Sequence, residues 1–224
     1  MRHGRTEPWS AVVLAAGAGE RLGGVPKPLI RVDGETLVGR LIAALRRAHA
    51  SEIVITLGHH AGRVGAALPA DAASGSSPPT GAAPLRSVHL DPPGDQAASL
   101  RAGLRALGPR TRAVLVCLAD QPLIDAAALS AVHAAWLGRP AGCEMLVPQC
   151  QGTPGNPVML SRDLADLLAS AEPPIAGKDW RHANPRRVYH WVTPNAAYRT
   201  DLDGPADLAT LRAQGLDITL PAPA

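Results

Sequence analysis

One segment near the beginning of the chain reads Ala11-Val-Val-Leu14-Ala-Ala-Gly17-Ala-Gly19-Glu-Arg21-Leu-Gly23-Gly24-Val-Pro-Lys27-Pro28-Leu29. Its first five residues, Ala11–Ala15, are all apolar, which predicts a short buried strand. Gly17 and Gly19 permit a positive φ and a close approach of the backbone, so successive N–H groups can turn towards phosphate oxygens. Arg21 and Lys27 add the positive charge that a triphosphate requires. The segment therefore predicts a strand followed by a phosphate-binding loop.

Two better-known glycine loops do not fit this spacing. A Walker A loop has a Lys directly after its last glycine, whereas Val25 follows Gly24 here. A dinucleotide-binding loop has the pattern G-x-G-x-x-G, and Gly23 comes one place too late for it. A nicotinamide-dependent dehydrogenase is therefore disfavoured. An ordinary strand-to-loop turn would explain the glycines alone, but not Arg21 and Lys27 at this spacing.

From Ala11 to Leu137, short apolar runs alternate with Ala- and Leu-rich helical patterns. Strands that are apolar throughout suit burial on both faces, so the series predicts an α/β fold with a mostly parallel central sheet covered by helices. The predicted strands are Ala11–Ala15, Glu52–Leu57, Ser87–Leu90 and Ala113–Leu118, and the predicted helices are Leu37–Ala48, Ala61–Leu68, Ala97–Leu107 and Ala126–Leu137.

The chain is predicted to form a single domain over residues 10–216. Residues 1–9 are expected to be a disordered tail, and residues 217–224 a second tail. Residues 69–84, which are rich in Ala, Ser, Pro and Gly, are predicted to be a flexible loop. From about residue 138 to residue 192 the rhythm changes to a small β insertion, with strands at Glu144–Pro148, Pro157–Leu160 and Arg187–Val192.

The composition favours a cytoplasmic protein with small phosphate ligands. Hydrophobic residues make up 46% of the chain, aromatic residues 3%, and Phe is absent, so the core must consist mainly of Ala, Val, Leu and Ile. The apolar runs are far shorter than the ~20 residues of a membrane-spanning helix, so no membrane is expected. Three cysteines cannot all pair, which fits a reducing compartment. The net charge of +3 comes from scattered Arg residues, so nucleic acid is not an expected partner.

Asp120 is the first candidate metal ligand. It follows the apolar run Val114–Leu118, so it should stand at the carboxyl end of a central strand, where ligands of open α/β sheets collect. Mg²⁺ prefers oxygen ligands and uses one or two carboxylates together with substrate phosphates. Asp203 is the expected second ligand, with Asp201 as the alternative. A turn aspartate and a helix cap are the plainer explanations of Asp120 and Asp203.

Two further polar features remain to be interpreted. Ser99 is expected at the start of a helix, where its hydroxyl and free N–H groups can bind the base or ribose of a nucleotide, or simply cap the helix. The eight histidines show no spacing typical of metal ligands. His59 and His60 follow a predicted strand, and we assign them no role.

The glycine loop and four later motifs resemble the MobA-like NTP transferases and, among them, the molybdenum cofactor cytidylyltransferases. The loop is similar to the family's LAAG pattern, which is followed by Arg, Gly and Lys. Asn156 stands where many relatives carry His. The four later motifs follow in the family's order at Gln96–Leu104, Ala119–Leu123, Gly155–Val158 and Thr200–Leu208.

This resemblance implies a Rossmann-like nucleotidyltransferase fold of the GT-A type, a three-layer sandwich with the β insertion on the acceptor side. It implies Mg²⁺-dependent transfer of CMP from CTP to a phosphorylated small molecule, with release of pyrophosphate. The implied acceptor is molybdopterin carrying molybdenum, and a molybdoenzyme would be the partner that receives the product. CTP is implied because Ala16 stands where guanylyl-type relatives carry Gly.

Three alternative functions stay open: a guanylyltransferase, a cytidylyltransferase for another small phosphate such as methylerythritol phosphate or a sugar phosphate, and a module that binds a nucleotide or cofactor without chemistry.

The expected site follows from the loop chemistry and the resemblance together. The expected catalytic residues are Arg21, Lys27 and Asp120, the expected Mg²⁺ ligands are Asp120 and Asp203, and the expected nucleotide contacts are Leu14, Ala15, Ala16, Gly17, Gly19, Arg21, Lys27 and Ser99.

Overall fold

The computed structural model describes residues 7–73 and 82–222. Within these ranges the strands are β1 (Trp9–Ala15), β2 (Arg31–Val32), β3 (Glu35–Thr36), β4 (Ile53–Leu57), β5 (Leu85–His89), β6 (Ala113–Leu118), β7 (Met145–Cys150), β8 (Thr153–Pro154), β9 (Val158–Ser161), β10 (Val188–Val192) and β11 (Ile218–Thr219). The helices are α1 (Leu37–Arg47), α2 (Ala61–Ala66), α3 (Ala70–Ala73), α4 (Gln96–Arg105), α5 (Ala126–Leu137), α6 (Arg162–Ser170), α7 (Gly177–Ala183) and α8 (Pro205–Ala213).

The central sheet has the strand order β10-β7-β9-β6-β1-β4-β5, with β8 paired to β7. β1, β4, β5 and β6 are parallel to their neighbours within this group, whereas β9 runs antiparallel to both β6 and β7. Every residue of β4 is buried, as expected of a strand that is apolar throughout. The predicted α/β fold with a mostly parallel sheet is therefore confirmed.

Helices cover both faces of this sheet. Side chains alternate along a strand, and those of β1 enter two separate cores. Val13 packs with side chains of α1 and α5 on one face, and Val12 packs with those of α4 and α6 on the other. α4 approaches the sheet at Gly103, where a Cβ atom would lie 2.5 Å from Cγ1 of Val12. The result is a three-layer sandwich, as expected.

A second, three-stranded sheet was not predicted. It has the order β11-β2-β3, and Ile218 of β11 pairs with Val32 of β2. Ile218 is 4% exposed and belongs to an apolar cluster with Leu22 and Val25, which are residues of the glycine loop. The prediction that residues 217–224 form a tail is therefore wrong for the paired part, because Ile218 is buried there; residues 223 and 224 lie outside the described residues.

Two other predicted boundaries need correction. β1 begins at Trp9, inside the predicted tail of residues 1–9, because the Trp9 side chain is 3% exposed and belongs to the main core. Residues 1–6 lie outside the described residues. The predicted flexible loop of residues 69–84 contains the short helix α3, which is joined to α1 by the ion pair of Arg46 and Asp71. Residues 74–81 of that loop lie outside the described residues.

The predicted β insertion of residues 138–192 is part of the main sheet. β7, β9 and β10 extend the sheet beyond β6, and α6 packs beside α4 on one of its faces. The physical reason is that Met145, Leu146 and Met159 are at most 1% exposed, so these strands bury apolar side chains like the other central strands. No helix among the described residues is long and apolar enough to span a membrane.

Candidate active site

The glycine loop follows β1 directly and closes on itself. Gly19 has φ +69°, and a Cβ atom there would lie 2.0 Å from the carbonyl oxygen of Val25. The amide of Gly24 donates to the carbonyl of Gly19 at 3.1 Å. Gly17 and Gly19 both permit a positive φ, and the positive values in the loop fall at Gly19, Gly23 and Gly24. A Cβ atom at Gly17 would meet open space, so this glycine instead leaves the loop surface bare.

Gly19→Ala should distort this loop, because an alanine would be strained at positive φ and would overlap the Val25 carbonyl. We expect the free energy of unfolding to fall by about 1–3 kcal/mol and the KM for the nucleotide to rise by roughly tenfold. Denaturant unfolding and steady-state kinetics measure the two effects. Gly17→Ala is the matched control, because its methyl group meets no atom within 4 Å. Equal unfolding free energies for the two variants would contradict the steric argument.

His59 and His60, to which we assign no role from the sequence, contact the backbone of the glycine loop. Nδ1 of His59 lies 3.1 Å from the carbonyl oxygen of Ala16, and Nε2 of His60 lies 3.0 Å from that of Ala18. Both histidines come directly after β4, which is the neighbour of β1. Sequence spacing could not reveal this function, since the partners are more than 40 residues away along the chain.

Asp120 lies at the same edge of the sheet as the loop. β1 and β6 are parallel, with Leu14 opposite Leu118, so the loop and Asp120 follow neighbouring strand ends. The amide of Leu202 donates to the carbonyl of Asp120 at 2.9 Å, which brings Asp201 and Asp203 to this edge as well. The structure thus brings the three predicted aspartates together.

Lys27 connects the loop to these carboxylates. Its Nζ donates to Oδ2 of Asp120 at 3.1 Å and also to Oδ1 of Asp203. Nη1 of Arg21, on the exposed side of the loop, donates to Oδ2 of Asp203 at 3.3 Å. Burial acts to lower the pKa of Lys27, but the contacts with Asp203 and Asp120 outweigh it, and the pKa is raised. Lys27 therefore remains a cation at neutral pH.

Two carboxylate oxygens at this edge have unused hydrogen-bonding capacity. Oδ1 of Asp120 and Oδ1 of Asp201 are buried without a hydrogen-bond partner in the part of the chain that the structure describes. Burial raises the pKa of Asp120 although Lys27 opposes the shift. Burial, with the charges of Asp120 and Asp203, raises the pKa of Asp201 to about 6. Such atoms call for a ligand or a cation.

These groups line one cleft, which we call the aspartate cleft, with a volume of about 380 Å³. Of the predicted nucleotide contacts, Leu14, Ala16, Gly17 and Ser99 lie in its wall. Ala15 and Gly19 line a smaller adjoining recess with Lys27. The described residues contain no group of three or more His, Cys, Asp or Glu side chains that could hold a metal ion. The predicted metal ligands of this cleft are a pair of carboxylates.

The structure changes two helix-cap interpretations. Ser99 does not cap α4; Asp95 does, through a hydrogen bond from the amide of Ala98 at 2.8 Å, and the Ser99 hydroxyl donates to the carbonyl of Asp95. Asp203 does not cap α8 either. The carboxylate of Asp207 accepts the amide hydrogens of Asp203 and Gly204, which leaves the Asp203 carboxylate free to contact Lys27.

The side chain of Gln121 supports the turn at Asn156 through hydrogen bonds. The Gln121 side chain, 6% exposed, donates to the carbonyls of Asn156 and Tyr198 at 3.4 and 3.3 Å. The amide of Asn156 donates to the same Tyr198 carbonyl, which a Cβ atom at Gly155 would approach to 2.3 Å. Gln121, the turn at Asn156 and the carbonyl of Tyr198 thus form one hydrogen-bonded network between Asp120 and Asp201.

Comparison with known proteins gives a family match over most of the chain. A model described as the MobA-like NTP transferase domain matches residues 11–188. The bifunctional protein GlmU of Streptomyces griseus subsp. griseus is 35% identical over 135 residues, 58% of this chain and 26% of that protein. A probable molybdenum cofactor guanylyltransferase of Methanosarcina acetivorans is 39% identical over 57 residues, 25% of each chain. The match spans about a quarter of the length of these two relatives.

Solved structures match over almost the whole chain. Rv0371c of Mycobacterium tuberculosis H37Rv is 26% identical, with a TM-score of 0.72 over 92% of this chain and 98% of that chain. A complex of Rv0371c with manganese is likewise 26% identical, with a TM-score of 0.67 over 91% and 97% of the two chains.

Proposed function

The chain belongs to the MobA-like NTP transferase family, a family of nucleotidyltransferases, and from this premise we propose that it transfers CMP from CTP to a phosphorylated small molecule. The acceptor that we propose is molybdopterin carrying molybdenum. A molybdoenzyme as the recipient of the product, and a cytoplasmic location, stay predictions.

One observation carries this proposal: the Lys27 ammonium lies between the carboxylates of Asp120 and Asp203 at the mouth of a glycine loop. The arrangement offers a fixed cation to phosphate oxygens, with carboxylates beside it, next to a loop surface that is bare at Gly17. Among the described residues of the cleft, the raised pKa keeps Lys27 protonated and the Ser99 hydroxyl donates to the carbonyl of Asp95, so neither is prepared as a nucleophile. Direct transfer between bound substrates is therefore the chemistry that the arrangement supports best.

A divalent cation fits the carboxylates of this cleft. The unpartnered oxygen of Asp120 is a hard, buried donor that a cation would satisfy. We propose Asp120 and Asp203 as the ligands of Mg²⁺, with Asp201 as the alternative to Asp203, and the manganese complex of the Rv0371c relative supports a divalent ion. Bound there, the ion would neutralise charge on the triphosphate.

The transfer step needs an in-line arrangement of two phosphates. An oxygen of the acceptor phosphate attacks the α-phosphorus of CTP, the new P–O bond forms, and the bond to the β-phosphate breaks with release of pyrophosphate. Lys27 and the loop amides stabilise the charge that develops on the α-phosphate. Arg21, at the exposed mouth, neutralises the departing pyrophosphate. The chain itself contributes positioning and charge stabilisation.

The preference for CTP rests on Ala16. This residue lines the aspartate cleft and packs against Gly58, whose Cβ position would lie 2.7 Å from the Ala16 carbonyl oxygen. The backbone from Leu14 to Gly17 would contact the base. GTP is the second candidate, because the Methanosarcina acetivorans relative is described as a guanylyltransferase.

Pyrophosphate release with Mg²⁺ and each of CTP, GTP, ATP and UTP tests the proposal, with and without molybdenum-loaded molybdopterin. We expect release with CTP that depends on the acceptor. Acceptor-dependent release with GTP alone would overturn the choice of base. Release with methylerythritol phosphate or a sugar phosphate instead would overturn the choice of acceptor. Nucleotide binding without release for any pair would favour a binding module that performs no chemistry.

A further inference from the structure

The glycine loop turns two of its carbonyl groups towards the end of β4. Nδ1 of His59 lies 3.1 Å from the carbonyl oxygen of Ala16, and Nε2 of His60 lies 3.0 Å from that of Ala18. A carbonyl oxygen only accepts hydrogen bonds, so these two ring nitrogens must carry the hydrogen atoms. The backbone amide of His59 also donates to the Ala16 carbonyl, at 3.4 Å. Each carbonyl is therefore held by a donor from the end of the neighbouring strand.

These contacts require a close approach of the two chain segments, which Gly58 permits. A Cβ atom at this position would lie 2.7 Å from the carbonyl oxygen and 2.9 Å from the Cβ atom of Ala16. Neither His59 nor His60 is among the described residues that line the aspartate cleft or the recess beside it. The histidines therefore act on the loop from outside the cleft, through its backbone.

Holding the carbonyl of a peptide group also fixes the direction of its N–H group. The peptide bonds that precede Gly17 and Gly19 are trans, and in a planar trans peptide the N–H points opposite to the C=O. Both amides therefore point away from the histidines. Gly17 lines the aspartate cleft, and Gly19 lines the recess beside Lys27. Neither amide donates a hydrogen bond to another group of the described residues, so both are available to an anion.

We propose that His59 and His60 are positioning residues for the nucleotide, because their ring N–H groups orient two peptide groups whose amides, those of Gly17 and Gly19, bind it. The inference rests on the proposed function, since it takes the occupant of the cleft to be a nucleoside triphosphate. A glycine-rich backbone has many accessible conformations. Without the histidines these peptide groups would have to be ordered when the nucleotide binds, and that cost would weaken binding.

The test compares variants that keep the donor with variants of the same reach that lack it. His59→Asn places an amide nitrogen at the position of Nδ1, and His60→Gln places one at that of Nε2, whereas His59→Leu and His60→Met offer no donor. We expect the Leu/Met double variant to bind inorganic triphosphate about tenfold more weakly than the wild type in calorimetry at saturating Mg²⁺. The Asn/Gln double variant should stay within about threefold of the wild type. Should the Leu/Met double variant not fold, its two single variants make the same comparison.

A spectroscopic signature distinguishes positioning from a general loss of structure. In ¹H–¹⁵N spectra of the wild type, triphosphate should shift the amide signals of Gly17 and Gly19. In the Leu/Met double variant these shifts should shrink at an equal fraction of bound protein, while the shift of the Lys27 amide persists. His89→Leu removes an exposed histidine at the end of β5 and is the control, which should change neither the affinity nor the shifts.

Three results would overturn the proposal. They are an absence of triphosphate binding by the wild type, a wild-type affinity in the Leu/Met double variant, and an equal loss of affinity in the Asn/Gln double variant.

A kinetic experiment separates this inference from the proposed function. In the transfer assay the Leu/Met double variant should raise the KM for CTP about tenfold while the KM for the acceptor stays unchanged. Transfer with an unaltered KM for CTP would overturn the positioning role and leave the proposed function standing. Triphosphate binding as expected, without transfer from any nucleotide, would overturn the proposed function and leave His59 and His60 as positioning residues of an anion site.

Discussion

Replacing Lys27 with alanine should lower the turnover number of CMP transfer by about 10²–10³-fold and change the KM for CTP by only a few-fold. The Lys27 ammonium is held beside Asp120 and Asp203 before any substrate binds, so its charge costs no reorganisation when the transition state forms. An interaction that acts mainly in the transition state appears in kcat rather than in KM. Steady-state kinetics with saturating acceptor measures both constants.

The control for this experiment is Arg110→Ala, which removes one exposed positive charge from the loop before β6 and should leave turnover unchanged. Thermal unfolding of the Lys27→Ala variant shows whether the fold survives, because the change leaves two carboxylates facing each other without their shared cation. Lys27→Arg keeps the charge on a larger group and should retain part of the activity. Wild-type turnover in Lys27→Ala would contradict the assigned role.

Asp120→Asn should abolish transfer almost completely, by about 10³-fold or more, while the protein stays folded. The substitution keeps the shape of the side chain but removes the charge with which Asp120 would bind Mg²⁺, an interaction of several kcal/mol, and each 1.36 kcal/mol is a factor of ten in rate. Since burial raises the pKa of Asp120, its charge is unfavourable in the folded state, and the neutral amide should not lower stability. Turnover at saturating Mg²⁺ and the unfolding midpoint are measured together.

Asp125→Asn is the matched control because it makes the same chemical change five residues further along the chain. Asp125 caps α5 by accepting the amide hydrogen of Ala128 at 2.8 Å, a function that Asn also performs. Turnover and stability should therefore stay close to those of the wild type. If Asp120→Asn kept more than a tenth of wild-type turnover, Asp120 would not be the metal ligand.

The central sheet could be predicted because each of its strands is a short apolar run that is visible in the local sequence. β1, β4 and β6 are apolar runs that burial on both faces requires, and the structure has them within two residues of the predicted bounds. The three-stranded sheet could not be predicted in this way. β2, β3 and β11 have two residues each, too few to show any periodicity, and β11 pairs with β2 across more than 180 residues.

The candidate site also contains some residues that the sequence indicated and others that only the fold revealed. Loop spacing pointed to Arg21 and Lys27, and the end of an apolar strand pointed to Asp120; the structure brings these groups together, while their catalytic roles stay predictions. The function of His59 as a brace of the loop lay beyond the sequence, because a histidine that binds a distant backbone carbonyl leaves no local pattern. For the same reason, only the fold could show that Asp203 does not cap α8 and that Asp207 accepts the amide hydrogen of the N-cap residue, Gly204.

The pairing of Lys27 with Asp203 joins residues 176 positions apart. A ribosome adds about 5–20 residues per second, so the two halves of this contact emerge about 9–35 s apart during synthesis. Until Asp203 is added, Lys27 has only one of its two carboxylate partners, Asp120, which lies 93 positions away. The contact between the glycine loop and Asp203 is therefore a late long-range contact, which can form only after β1, β4 and β6 have been synthesised.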